Sequence, residues 1–189
     1  MLKIVGGKHR GRTIVAPEGQ GTRPTASRAR EALFNILAHA NWRDDGTSPL
    51  IDVRVLDAFA GSGALGLEAL SRGAAHATFL DKDATAIKLI GENLRKLGET
   101  AAAKVVRADA TQPPPGREPC DLVFLDPPYR SSQAAPAVGA VAAAVWVGPD
   151  AIVTVELAHK EDILPPPGFE ASDERRYGAA KIVILRGKP

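Results

Sequence analysis

Asp126-Pro127-Pro128-Tyr129 follows an apolar run, Cys120-Asp121-Leu122-Val123-Phe124-Leu125, and its residue types suit chemistry on an exocyclic amine of a nucleobase. Such an amine is a poor nucleophile because its lone pair is delocalised into the ring. A carboxylate and a proline carbonyl both accept hydrogen bonds and donate none. If Asp126 and the Pro127 carbonyl each hold one amino hydrogen, the two bonds strengthen as positive charge develops on nitrogen, which stabilises the transition state selectively. Consecutive prolines fix φ and stiffen the loop. Tyr129 supplies a flat face for a base drawn out of its stack. A bare Pro-Pro is ordinarily only a rigid turn. The strand before it, and the acid and aromatic on either side, make Asp126, Pro127, Pro128 and Tyr129 a candidate catalytic loop.

A second set lies upstream, in Val53-Arg54-Val55-Leu56-Asp57-Ala58-Phe59-Ala60-Gly61-Ser62-Gly63-Ala64-Leu65-Gly66. An apolar run ending in an acid, a glycine loop and an apolar helix form a nucleotide-binding opening. Gly61-x-Gly63-x-x-Gly66 matches the dinucleotide fingerprint, but that site must receive a pyrophosphate, and Asp57 would repel one. S-adenosylmethionine instead carries a sulfonium and an ammonium, and a carboxylate suits it. The bland reading is a tight turn with an ordinary acid. Two further strands end in acids: Ala77-Thr78-Phe79-Leu80 in Asp81, and the run 104–107 in Asp109. Asp81 falls where such a unit places the carboxylate that takes ribose hydroxyls. Its rival Asp83 better suits a helix N-cap. Asp109 is expected to accept from the adenine amino group.

These loops need a parallel sheet with helices packed on it. Ala64 to Arg72 reads as a buried helix ended by Gly73, and Ala84 to Leu97 as an amphipathic helix with Ile87, Ile90, Leu94 and Leu97 on one stripe, stopped by Gly98. Ala134 to Val145 reads as a helix, Ala151 to Glu156 as a strand, and Glu170 to Tyr177 with Lys181 to Leu185 as an antiparallel hairpin. Ahead of the core, Lys3-Ile4-Val5 and Thr13-Ile14-Val15 read as a short hairpin around a glycine-containing link. Thr25 is the expected N-cap of a helix running to about Ala38, with Ala29, Ala32, Leu33, Ile36 and Leu37 inward, Arg28, Glu31 and Asn35 along a different face, and Arg30 solvated. Residues 41 to 49 read as a linker.

With 189 residues, 44% hydrophobic and 24% charged, the chain suits one domain: a basic hairpin extension over 1–24 and a catalytic core over 25–189. No apolar run approaches the roughly 20 residues of a membrane span, and no secretory segment is evident near Met1. Cys120 is the only cysteine, so neither an internal disulfide nor a thiolate zinc site is expected, and the scattered histidines suggest no metal site. A cytoplasmic setting follows as the expectation. Net charge is only +2, yet Lys3, Lys8, Arg10, Arg12, Arg23, Arg28 and Arg30 precede residue 31 against Glu18 alone. That asymmetry points to a polyanion, with Lys8, His9, Arg10 and Arg12 on the hairpin link as phosphate contacts. Arg23, in a proline-stiffened turn, could hold an RNA phosphate or close over the cofactor's methionine carboxylate.

Asp-Pro-Pro-Tyr beside the Asp57 to Gly66 loop resembles the seven-stranded class I S-adenosylmethionine-dependent methyltransferases acting on exocyclic amines. More closely, Gly11-Arg12, Thr22-Arg23-Pro24-Thr25, Arg30-Glu31-Ala32-Leu33-Phe34-Asn35-Ile36-Leu37 and Asp57-Ala58-Phe59-Ala60-Gly61-Ser62-Gly63 are similar to the RsmD family, which methylates N2 of a guanine in 16S ribosomal RNA. The likeness runs from Lys3 to about Leu185. It implies a Rossmann-like α/β fold, mostly parallel, with an antiparallel C-terminal edge hairpin and a short N-terminal hairpin extension. It implies S-adenosylmethionine held around Asp57, Phe59, Gly61, Gly63, Asp81, Lys82, Asp109 and Ala110, with Asp126 to Tyr129 at the target base. Lys8, Arg10, Arg12, Arg23 and Arg28 are the expected RNA contacts, the partner being 16S rRNA within a small-subunit particle, and the chain a monomer. Thr13-Ile14 stands where a basic residue and leucine are usual, and Asp81 where glutamate is common. An adenine-N6 methyltransferase and a non-catalytic nucleic-acid-binding protein are the alternatives. The absence of a visible DNA-reading domain weighs against the first, and the intact Asp126 and glycine loop against the second.

Overall fold

A computed structural model describes residues 2–16, 24–40, 42, 46–129 and 131–187. The apolar runs become a seven-stranded sheet: β3 (Arg54–Ala58), β4 (His76–Asp81), β5 (Ala103–Arg107), β6 (Cys120–Leu125), β7 (Val147–Ala158), β8 (Phe169–Tyr177) and β9 (Ala180–Gly187). Their spatial order is β5-β4-β3-β6-β7-β9-β8. The first five are parallel, and β9 runs antiparallel to both β7 and β8. Apart from this sheet, β1 (Leu2–Lys3) and β2 (Thr13–Ile14) pair antiparallel as the expected N-terminal hairpin.

Strand order reverses between β3 and β6, so the loops leaving their carboxyl ends diverge and open a crevice there. Both faces of the central strands are covered, which is why their sequences read as near-continuous apolar runs. On one face, Phe34 and Leu37 of α1 (Pro24–His39), Leu67 and Leu70 of α2 (Ala64–Ser71), and Ile90 and Leu94 of α3 (Ala84–Leu97) cover Val55, Phe79, Leu122, Phe124, Ile182 and Ile184. Phe34 and Phe124, both fully buried, tilt against each other with ring centroids 5.5 Å apart. On the other face, among the described residues, one helix, α4 (Ala134–Ala143), covers Leu56, Val123, Leu125, Val153 and Val155 with Ala137, Val138 and Val141. Its alanines let it lie close to the sheet. No helix among the described residues is long and apolar enough to cross a membrane.

Two local expectations change. The helix over 24–39 begins at Pro24, so Thr25 lies inside its first turn and is not the cap. Proline at a first helical position has φ preset and lacks only an N–H that would have no intrahelical partner. Arg30 is not solvated: it is 6% exposed, its Nη2 donates to the Lys3 carbonyl at 2.7 Å, and its Nε lies 3.9 Å from Glu68. Burial lowers its guanidinium below the ordinary value, with Glu68 opposing that shift. Arg30 thus pins the N-terminal hairpin to the core.

Candidate active site

The glycine loop after β3 is built by hydrogen bonds from its own amides. Gly61 N–H donates to Asp81 Oδ2 at 2.8 Å, Gly63 N–H to the Ala60 carbonyl at 2.6 Å, and Gly66 N–H to Asp57 Oδ2 at 2.8 Å. Gly61 and Gly63 have φ of 54° and 77°, and Phe59 joins them at 61°. An aromatic residue in the left-handed region is strained backbone, held here by the loop around it. Gly66 serves packing: a Cβ there would lie 2.4 Å from Phe79 Cε1 and 3.2 Å from Asp57 Cβ, so only glycine lets α2 approach β3 and β4 so closely.

Asp57 is 1% exposed. It stands beneath the loop rather than open at the strand end, because its side chain points to the covered face and ties the loop to α2. Burial pushes its carboxyl up to about 8, against the pull of the Gly66 amide, and Asp81 adds to the rise. Asp81 uses both oxygens on backbone, Oδ2 on Gly61 and Oδ1 on Asp83 N–H at 2.9 Å. Asp83 caps α3, accepting from Thr85 N–H at 2.7 Å. Asp109 Oδ1 accepts from the Thr111 amide and hydroxyl, and Lys82 Nζ lies 3.4 Å from its Oδ2. The Thr111 amide leads in holding the Asp109 carboxyl below the usual range. Ala110 is buried beside it.

Across the crevice, Asp126 extends β6: its N–H reaches the Ala58 carbonyl at 3.4 Å. The Pro128 carbonyl accepts from Ser131 N–H at 3.2 Å, closing a tight turn. Tyr129 is 41% exposed, and its hydroxyl donates to Glu156 Oε1 at 2.7 Å. Since Leu125 pairs with Val155 in parallel register, Asp126 and Glu156 follow on adjacent strands at one level and on one face of the sheet. Asp126 is exposed just past the end of β6, yet the protein packed around it, then Glu156 and Asp57, push its carboxyl well above the ordinary value.

The chain matches the family described as conserved hypothetical protein 95 over residues 2–186. It is 38% identical to ribosomal RNA small subunit methyltransferase D of Escherichia coli K12 over 182 residues, 96% of this chain and 86% of that one. To the Haemophilus influenzae protein of the same name it is 34% identical over 181 residues, 94% and 89% of the two chains. The solved structure of yhhF from Escherichia coli superposes with a TM-score of 0.80 at 33% identity, covering 99% of this chain and 98% of that one. The chain belongs to the ribosomal RNA small subunit methyltransferase D family.

In this family member the basic residues expected to meet RNA are distributed unevenly. Lys8 and His9 both reach Glu99 Oε1, at 2.7 and 2.5 Å, and Arg12 Nη2 donates to the Lys96 carbonyl at 2.7 Å. Burial pushes the Glu99 carboxyl up, but its bonds to Lys8 and His9 outweigh that and hold it low. The hairpin link is therefore moored to the end of α3. Arg10 and Arg28 are exposed, and Arg23 lies outside the described residues.

Three buried polar residues had no motif to announce them. Glu68, fully buried in α2, accepts from the Val5 and Gly6 amides at 2.8 and 2.7 Å and from Arg72 Nε at 2.8 Å. Asn93, fully buried in α3, accepts from Val15 N–H and donates to the Val15 and Ser62 carbonyls, joining the N-terminal segment to the glycine loop. Lys181, 1% exposed, pairs with Asp162 at 2.5 Å. A single glutamate or asparagine within an otherwise apolar helical stripe was the one available signal.

Proposed function

We propose that the protein transfers a methyl group from S-adenosylmethionine to the exocyclic N2 amino group of a guanine in small-subunit ribosomal RNA. The observation that carries this reading is the Asp126-Pro127-Pro128-Tyr129 turn at the switch-point crevice, across from a glycine loop whose Gly61, Gly63 and Gly66 amides are already engaged. A pyrophosphate needs free backbone donors at such a loop. Here Asp81 and Asp57 take the Gly61 and Gly66 donors, and the Asp81 carboxylate at the end of β4 suits a cationic ligand. When bound, S-adenosylmethionine supplies the electrophilic methyl. Asp81, Lys82 and Asp109 at the ends of β4 and β5 are the groups available to its ribose and adenine, with Phe59, Gly61, Gly63 and Ala110 shaping the floor. Asp57 acts on this site through the loop it braces.

At the base, Asp126 and the Pro127 carbonyl hold the amino hydrogens and gain strength as nitrogen becomes positive. Asp126 is placed to take up the proton that the methylated amine releases. Tyr129 is given the stacking role, with its ring oriented by the Glu156 bond. The names of the relatives support ribosomal RNA as the substrate. The reading extends to a monomer acting on a small-subunit particle in the cytoplasm. Mass spectrometry of ribosomal RNA nucleosides from cells with and without the gene tests the assignment: loss of one N2-methylguanosine is expected, and an unchanged profile overturns it.

A further inference from the structure

Beside the Pro127-Pro128 turn lies a cleft of about 290 Å³, lined also by Ser131, Gln133, Glu156 and Ile163. The charged residues lining it, among the described residues, are Glu156, Glu161 and Asp162, all acids. Glu161 Oε2 accepts from Ala158 N–H and Asp162 Oδ1 from Lys181 Nζ, so these two brace the wall. Glu156 is different. It stands next to Asp126 on the adjacent strand, and the Tyr129 hydroxyl fixes Oε1. Burial raises its carboxyl, while the Tyr129 bond and the Arg30 guanidinium favour its charged form.

Exocyclic amines differ in the ring atom beside them. The guanine N2 amino group stands between N1–H, a donor on its Watson–Crick side, and N3, which has a lone pair on the other side. Next to the adenine N6 amino group stands N1 with a lone pair, and next to the cytosine N4 amino group stands N3 with one. A second carboxylate beside the one that holds the amine is attracted by the first arrangement and repelled by the other two. We infer that Glu156 is the residue that selects guanine: ionised, it accepts from N1–H of the base whose N2 amino group Asp126 holds. Asp126 serves any exocyclic amine, and Glu156 supplies the choice among them. Tyr129 then has two tasks, its ring against the base and its hydroxyl keeping Glu156 in place. This inference rests on the guanine-N2 reading above and adds a specificity determinant to it.

The probe is 2-aminopurine, which keeps the N2 amino group, lacks O6 and has a lone pair at N1 in place of the hydrogen; the loss of O6 is common to every enzyme compared. Small subunits are reconstituted with ribosomal RNA carrying guanine or 2-aminopurine at the methylated position through a ligated synthetic segment, and methyl transfer is followed by kcat/KM. The parent enzyme prefers guanine, since a site built to accept a hydrogen bond rejects the analogue that lacks the donor. Glu156→Gln can turn its amide to donate to N1, so its guanine preference narrows at least tenfold while S-adenosylmethionine affinity stays unchanged. Comparing the ratio between enzymes cancels the different intrinsic reactivity of the two bases. If Glu156→Gln fails to fold, Glu156→Asp, which withdraws the carboxylate by one methylene, narrows the same ratio. An unchanged ratio, or no transfer to 2-aminopurine by the Gln variant, overturns the role of Glu156. A parent enzyme that leaves guanine unmethylated and modifies another base overturns the guanine-N2 reading instead.

Discussion

Asp81 and Asp109, on the β4 and β5 side of the crevice, rest on backbone amides, whereas Asp126 and Glu156, on the β6 and β7 side, sit beside each other with a tyrosine hydroxyl on one of them. In the first, the Asp109 carboxyl is held low by the Thr111 amide and hydroxyl. The second opposes charge, and both carboxyls are pushed up by the protein around them and, at Asp126, by Glu156. A fixed negative wall suits binding a cationic cofactor. A pair whose charge is strained suits accepting hydrogen bonds and a proton from an amine that becomes positive only during reaction. On the proposed function, binding and chemistry are divided between the two sides of the crevice.

The largest test of that division is Asp126→Asn. The amide keeps the shape but can hold an amino hydrogen only through its carbonyl oxygen, without charge. Methyl transfer should fall by roughly two to three orders of magnitude, the range for removing a transition-state electrostatic partner. Cofactor affinity, measured by calorimetry, should stay within about twofold. A matching loss of affinity would mean that the two sides are not separate. The pH profile sharpens the same point. Because Asp126 must be ionised and its carboxyl is raised, the rate should rise with pH through a midpoint above the ordinary carboxylate range. Glu156→Gln removes a like charge, so that midpoint should move down in pH, whereas an upward move would contradict the coupling of the pair.

Asp57 belongs to neither side, and its effect should appear in stability. Its carboxyl lies near 3.8 when free and is pushed up to about 8 by burial in the fold. The folded protein therefore binds more protons than the unfolded chain between those values. The stability this group contributes is fully present below about pH 4 and is lost as pH rises toward about 8. Asp57→Asn keeps an acceptor for the Gly66 amide and removes the titration. Melting curves should show the variant gaining on the parent as pH rises across that window, by an amount on the order of a few kcal/mol at its upper end. A constant difference would place the Asp57 carboxyl in the ordinary range.

On the cofactor side, Asp81→Ala should weaken S-adenosylmethionine binding by about 1 to 3 kcal/mol, since it removes the group available to the ribose and releases the Gly61 amide. Asp83→Ala is its contrast. Without the bond to Thr85 N–H, α3 loses its cap and the fold about 1 kcal/mol, while affinity changes little. Reversed outcomes would exchange the roles of the two residues.

How far these roles were legible in the sequence depended on whether a residue acts through a local pattern or a distant one. Asp83 as a cap and Gly98 as a helix stop are written within a few residues of their partners, and both hold, Gly98 with φ of 76°. The strands over 76–81 and 120–125 were legible because burial on both faces leaves an uninterrupted apolar run. The seven-stranded, mostly parallel sheet was implied by the family resemblance and its antiparallel edge hairpin also by the runs over 170–177 and 181–185, whereas the spatial order of the strands was not read from either. Arg30, Glu68 and Asn93 were not legible. Each is paired across a gap of at least 27 residues along the chain, and an arginine on a helix carries no local mark of whether it meets water or a carbonyl. Glu156 was hidden for a related reason: its neighbour Asp126 is brought to it by strand register.

The smallest expected effect concerns the basic N-terminal segment, where the contrast is between moored and open charges. Composition alone would treat Lys8, Arg10 and Arg12 as equal phosphate contacts. In the fold, Lys8 already pairs with Glu99 and Arg12 with the Lys96 carbonyl, while Arg10 is exposed on the same link. An ammonium that shares a buried carboxylate has part of its charge compensated, so it displaces fewer counterions when it meets a phosphate. Arg10→Ala should therefore reduce the slope of log affinity against log salt for ribosomal RNA by close to one unit, the amount for a single phosphate contact. Lys8→Ala should change that slope less, and should instead loosen the link, read as faster amide exchange at Val5 to Arg12. Equal slope changes would show that the Glu99 pairing opens on binding, and the moored charges would then join Arg10 on the RNA.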